Sequence, residues 1–324
     1  MTSAPPPFVE PCGDGIFAID TGFHRDRYDA AWLVVDSGRA AFIDTGTAFA
    51  VPRLLGALEF AGLAPADVQY VIPTHVHLDH AGGAGLLMQA LPHARLVVHP
   101  RGAPHLTDPS RLMAGARAVY GDDEFERSYG EVVPVPSGRV IESADGWHLA
   151  LGARTFEFLD TPGHARHHHC LWDAASRGFF TGDTFGIAYP EFATAQGSWP
   201  LPTTTPVQFD PGALRRSIGR MLAYRPACVY LTHFGRVAPV EPFAHGLLAE
   251  VDRMVALARR VPPGPARHAA LKAGLEDLHV ESLAAHGSTV PRSTVRELLA
   301  LDLELNAQGL AIWLDREVTP AATS

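Results

Sequence analysis

The stretch Thr74-His75-Val76-His77-Leu78-Asp79-His80 sets four potential metal ligands within six residues, a density that no folding requirement explains. An extended backbone turns alternate side chains to one side, so His75 and His77 share a face while Asp79 and His80 continue into the turn before Ala81-Gly82-Gly83. Three further candidates stand just after apolar runs: His164 in FLDTPGH, Asp183 in FFTGD and His233 in VYLTH. Imidazole and carboxylate without thiolate suit zinc, iron or manganese in an open catalytic site rather than a closed structural one.

Such donors need strands that end together. GIFAID, AAWLVVD and AAFIDTG read as a meander, a helical spacing follows over 48–61, and VQYVIPTH returns to strand. Helix then alternates with strand through RLVVH, a helix over 101–120, a hairpin around Gly152, CLWD, GFFTGD, a helix over 211–224 and CVYLTHFG. The charged segment GDDEFERSYG reads as a solvated loop. Many short strands with helices between them predict an α/β (α+β) fold, two sheets sandwiched by helices in αββα layers. Beyond Glu241 the pattern is helical over 241–260 and 293–308, with Gly309 as a stop and LAIWLD as a small strand. The expected division is therefore a catalytic domain over 1–240 and a mainly helical extension over 241–324. The helices of the extension offer a cap or a surface for homo-oligomers. Residues 1–11 and 319–324 are expected to fray.

Composition removes several alternatives. A formal net charge of −9 argues against a nucleic-acid partner. No apolar run approaches a membrane span and the start carries no leader pattern, so a cytoplasmic protein without a membrane partner is expected. The cysteines Cys12, Cys170 and Cys228 are too dispersed for a disulfide framework, and Lys272 is the sole lysine among 324 residues.

HVHLDH, then TPGH, then GD, then a strand-terminal TH, preceded by Asp44 in IDTG, resembles the metallo-β-lactamase superfamily over about residues 15 to 237. The resemblance implies two divalent cations, zinc first, with iron or manganese also compatible. His75, His77 and His164 would hold one, Asp79, His80 and His233 the other, and Asp183 would bridge them. Asp44 would orient the ligands from beneath, and His168 is a candidate for the same role. A dinuclear centre of this kind makes a hydroxide available at neutral pH and polarises a carbonyl, with Asp79 accepting and returning the proton. That is hydrolase chemistry.

True β-lactamases of the superfamily generally lack the bridging aspartate, so Asp183 places the likeness with the glyoxalase II, lactonase and ribonuclease branches. Glyoxalase II-like enzymes carry a lysine soon after that aspartate; here no Lys or Arg occurs between Gly178 and Leu214. Phe185, Ile187, Tyr189, Phe192 and Trp199 in that stretch are candidate substrate-binding residues for a neutral acyl group. Acyl-homoserine lactonases have a tyrosine close behind the aspartate, which makes Tyr189 a catalytic candidate although Gly186 stands nearer. The expected activity is cleavage of a small-molecule ester, lactone or thioester. The alternatives are a di-iron oxygen-binding or redox protein, whose members commonly have Glu at the His77 position, and a non-catalytic sensor that keeps the site.

Overall fold

The computed structural model describes residues 4–204 and 207–318. Two units divide them: one of residues 4–160, 167–182 and 226–238, the other of residues 161–166, 183–225 and 239–318.

In the first unit β1 (Val9–Gly13), β2 (Ile16–Asp20), β3 (Ala30–Asp36), β4 (Arg39–Ile43), β5 (Val68–Ile72), β6 (Arg95–Val98) and β7 (Val140–Glu142) lie side by side in chain order. Strands β1 to β4 pair antiparallel and β4 to β7 parallel. A second mixed sheet holds β8 (His148–Leu151), β9 (Arg154–Asp160), β10 (His169–Asp173), β11 (Gly178–Gly182), β12 (Cys228–Leu231) and β13 (Gly235–Val237), in the order β13-β12-β11-β10-β9-β8. The N-terminal stretch expected to fray forms β1 from Val9, because Val9 and Ile19 pair across β1 and β2 and are buried. Residues 319–324 lie outside the described residues.

Side-chain alternation builds two apolar layers from one sheet. Trp32, Ile43, Ile72 and Val97 face Phe156, Phe158, Phe180 and Tyr230 of the other sheet, whereas Leu33, Phe42, Val71 and Leu96 pack outward. That outer layer is closed by Leu54 and Leu58 of α1 (Val51–Phe60) and Leu87 of α3 (Ala84–Ala90); the short α2 (Leu78–Ala81) lies between them in the chain. Helices α4 (Ala103–Thr107), α5 (Ser110–Tyr120) and α6 (Asp122–Tyr129) follow. The last corrects the expected loop: Asp122, Asp123 and Glu124 complement the helix N-terminus, and Phe125 and Tyr129, four residues apart, bury one face.

Strands β9 and β11 both run antiparallel to β10, and β12 is parallel to β11, so β9, β11 and β12 end at the same edge of their sheet. The segments carrying His164, Asp183 and His233 leave from those ends, as the His75–His80 segment leaves from β5.

The second unit contains α7 (Pro211–Ala223), capped by Asp210, whose Oδ1 accepts from the Ala213 amide at 2.8 Å, and α8 (Val240–Arg260), α9 (Arg267–Ala285), α10 (Arg292–Leu298) and α11 (Ala300–Val318). Two expectations fail here. Gly309 does not stop a helix and LAIWLD is not a strand, because Leu303, Ala307, Leu310 and Leu314 continue one buried helical stripe through that stretch. Residues 161–166 and 183–225 group with the C-terminal helices, a division that differs from a linear cut at 240. No helix among the described residues is long and apolar enough to cross a membrane.

Candidate metal centre

Asp79, His80 and His233 form a ligand-capable group in the first unit, each offering one donor atom within 4.8 Å of the others. Asp79 Oδ2 lies 3.7 Å from His80 Nε2 and 3.5 Å from His233 Nε2. The neighbouring pair converges too, with His75 Nε2 2.7 Å from His77 Nδ1. In the second unit His164 Nε2 is 3.2 Å from Asp183 Oδ2.

The opposite edges of these rings are tethered. His80 Nδ1 is 2.9 Å from Asp44 Oδ2, His233 Nδ1 is 3.0 Å from the Tyr28 carbonyl, and His164 Nδ1 is 3.3 Å from the Thr203 carbonyl. An acceptor at Nδ1 holds the proton there and leaves Nε2 as a lone-pair donor, the arrangement a metal-bound imidazole requires. His75 Nδ1 meets the Thr74 hydroxyl at 3.3 Å, and that hydroxyl bonds the Asp44 carboxylate at 3.0 Å. The donor set and its tethers fit divalent cations.

Asp44 is the hub of this support. It is fully buried at φ +56 and accepts from the Thr74 amide at 2.7 Å and the Thr232 hydroxyl at 2.7 Å as well as from His80. His168 stacks on His75 with ring centroids 4.9 Å apart. A side chain at Gly182, φ +46, would bring Cβ within 2.5 Å of Thr74 Oγ1 and 2.6 Å of His168 Nε2, so the chain approaches Asp183 through a position that only glycine fits. Burial pushes the Asp29 carboxyl up to about 7, opposed by His233 and His80. Burial also lowers His24, opposed by Asp79.

The five candidate substrate-binding residues are all buried. Phe192 and Trp199 are core residues of the second unit: their rings meet edge to face at 5.6 Å, Trp199 packs on His279, and its Nε1 donates to Ser282 Oγ at 2.9 Å. Packing against α9 accounts for the apolar character of Trp199. Phe185, Ile187 and Tyr189 are also buried, and the Tyr189 hydroxyl donates to Asp302 Oδ1 at 3.2 Å. Thr74, Thr232, Tyr28 and Thr203 were not anticipated. Thr74 and Thr232 each precede a candidate ligand histidine, and that repeated Thr-His pair was a usable signal; Tyr28 and Thr203 act through carbonyls, which side-chain type does not mark.

A family model described as the metallo-beta-lactamase superfamily matches residues 16–233. The chain belongs to this superfamily. Its curated relatives include the acyl-coenzyme A thioesterase MBLAC2 of Gallus gallus, 32% identical over 193 residues that make up 54% of this chain and 64% of the relative. They also include the metallo-beta-lactamase fold-containing protein ST1585 of Sulfurisphaera tokodaii, 30% identical over 176 residues, 53% of this chain and 62% of the relative. The matched stretches thus span less than two thirds of either relative. The crystal structure of the archaeal superfamily protein ST1585 from Sulfolobus tokodaii superposes with a TM-score of 0.65 and 23% identity, covering 93% of this chain and 99% of that one. The metallo-beta-lactamase fold, with two mixed sheets and C-terminal helices, is therefore that of this superfamily member.

Proposed function

We propose that this superfamily member is a hydrolase of carboxylic esters, lactones or thioesters that works with two divalent cations, zinc first. The observation that carries the reading is the set of tethered imidazoles: acceptors at Nδ1 of His80, His164 and His233 leave each Nε2 as a donor beside a carboxylate. His75, His77 and His164 are the proposed ligands of one cation, Asp79, His80 and His233 of the other, with Asp183 shared. When bound, the cations supply a Lewis acid for the carbonyl oxygen and bring the pKa of a water toward neutrality. Asp79, whose side chain keeps 25% exposure, is the group that would take a proton on the carboxylate oxygen not given to the cation and return it to the leaving oxygen or sulfur. The relative named as an acyl-coenzyme A thioesterase supports the hydrolase class. The absence of Lys and Arg between Gly178 and Leu214 supports a neutral acyl group near Phe185, Ile187 and Tyr189. Cys12, Cys170 and Cys228 are free thiols, which supports a cytoplasmic setting.

The test is metal analysis of protein purified without added metal, followed by turnover on neutral esters and lactones, a coenzyme A thioester and a phosphodiester. Two equivalents of zinc, turnover of an acyl substrate and a fall of at least ~10²-fold in kcat for Asp79→Asn at equal metal content are expected. Iron together with oxygen uptake and no acyl cleavage would replace the hydrolase with the di-iron reading.

A further inference from the structure

We propose that Asn306, on α11, is a positioning residue for the imidazole of His164. The inference rests on the reading of His164 as a metal ligand. Asn306 brackets a single residue of the loop that faces it. Its Oδ1 accepts from the Thr204 amide at 2.7 Å, its Nδ2 donates to the Pro202 carbonyl at 3.1 Å, and its backbone carbonyl accepts from the Thr204 hydroxyl at 3.4 Å. Thr203 lies between those two anchors, and its carbonyl is the partner of His164 Nδ1 at 3.3 Å.

The consequence travels one bond at a time. With Pro202 and Thr204 both held, the peptide that presents the Thr203 carbonyl has no freedom to turn away. The carbonyl keeps the proton on Nδ1 of His164, and Nε2, 3.2 Å from Asp183 Oδ2, is left as the donor with its ring plane set. Asn306 is 1% exposed, so water does not substitute for either anchor. The position demands both a donor and an acceptor on one short side chain: aspartate keeps the bond from Thr204 and loses the one to Pro202, and leucine loses both. The same helix face grips the chain a second time, because Asp302, four residues earlier, accepts from the Tyr189 hydroxyl in the segment that follows Asp183. Helix α11, outside the part of the chain matched by the superfamily, thereby takes part in ligand geometry.

The experiment compares the native protein with Asn306→Leu and Asn306→Asp after metal removal by chelation. Zinc is titrated back against a chromophoric chelator, and the ring nitrogens of His164 are observed by nitrogen-15 NMR in the metal-free proteins, with His164→Gln giving the assignment. One of the two zinc dissociation constants should rise on the order of 10- to 100-fold while the other changes less than about threefold, and the Nδ1-protonated state of His164 should give way to a tautomer mixture. A residue that merely holds the fold together would lower the melting temperature and leave both constants and the tautomer unchanged in the folded protein; that result overturns the proposal. If Asn306→Leu does not fold, Asn306→Asp decides by the same two readouts. Native protein that binds two zinc ions and cleaves no acyl substrate defeats the hydrolase reading and leaves this one standing. Native protein that takes up no zinc, or lacks the Nδ1-protonated tautomer at His164, defeats this one.

Discussion

At Asp44 one carboxylate gathers donors from three parts of the chain: the amide and hydroxyl of Thr74 after β5, the hydroxyl of Thr232 after β12, and Nδ1 of His80 in α2. Every one of those partners adjoins or is a proposed ligand, so a residue outside the proposed ligand set fixes where those side chains stand. Replacing one oxygen by an amide nitrogen sets donor against donor in a site with no solvent. Asp44→Asn is expected to destabilise the metal-free protein by roughly 3 kcal/mol or more, the scale for breaking a buried, hydrogen-bonded charge. Urea unfolding of both chelated proteins measures it. A loss below about 1 kcal/mol would mean the hydroxyls and the imidazole rearrange around the amide.

Helix α9 carries an instance of the same physics with the opposite sign of charge. His279 is fully buried, neither ring nitrogen has a hydrogen-bond partner, and burial, aided by Arg253, pushes it down to about 3; Glu250 Oε2 lies 3.9 Å from its Nδ1. The folded value lies below that of an unfolded histidine, about 6.5, so below that pH the unfolded chain takes up a proton the folded one refuses. Stability is lost as pH falls from 6.5 toward 3, by about 2 kcal/mol at pH 5 from this group. In His279→Phe the drop in unfolding free energy between pH 7.5 and 5, followed by tryptophan fluorescence of the metal-free protein, should shrink by about that amount; an unchanged drop would show that Glu250 takes the proton's charge inside the fold. Neither α9 nor this histidine was read from the sequence. The strands were legible because AAWLVVD and AAFIDTG bury both faces and end in turn residues, and the ligand cluster was legible because donor density has no packing explanation. Helix α6 was missed because its acids suggest solvent until Phe125 and Tyr129 are seen to share a face. Asn306 could not be found because its role depends on which carbonyl lies opposite, and chain order does not carry that.

For the whole chain, the units interleave: the path enters the second at Thr161 and again at Asp183, returns at His167 and Pro226, and leaves finally at Pro239. No single cut separates them, and the superfamily match over residues 16–233 does not mark a piece that stands by itself. A chain ending at Ala238 would keep residues 161–166 and 183–225 but lose what they fold with. The Tyr189 hydroxyl would lose Asp302, the Trp199 indole would lose Ser282, the Thr194 hydroxyl would lose the His286 carbonyl, and Thr204 and Pro202 would lose Asn306. Phe192 and Trp199, both within 2% of full burial, would be left without the helix core that covers them. The released polar groups are hydrated once the helices are gone, so the main cost is the apolar surface of Phe192 and Trp199 turned to water, about 25 cal/mol for each Å². The 1–238 fragment is therefore expected to aggregate or to bind an apolar dye strongly, and to lose zinc affinity even though all seven proposed ligands lie in strand-end segments and remain in the chain. Dye binding, light scattering and zinc titration of the fragment against the full chain measure this. A monodisperse fragment with native zinc affinity would show that the C-terminal helices only decorate the site.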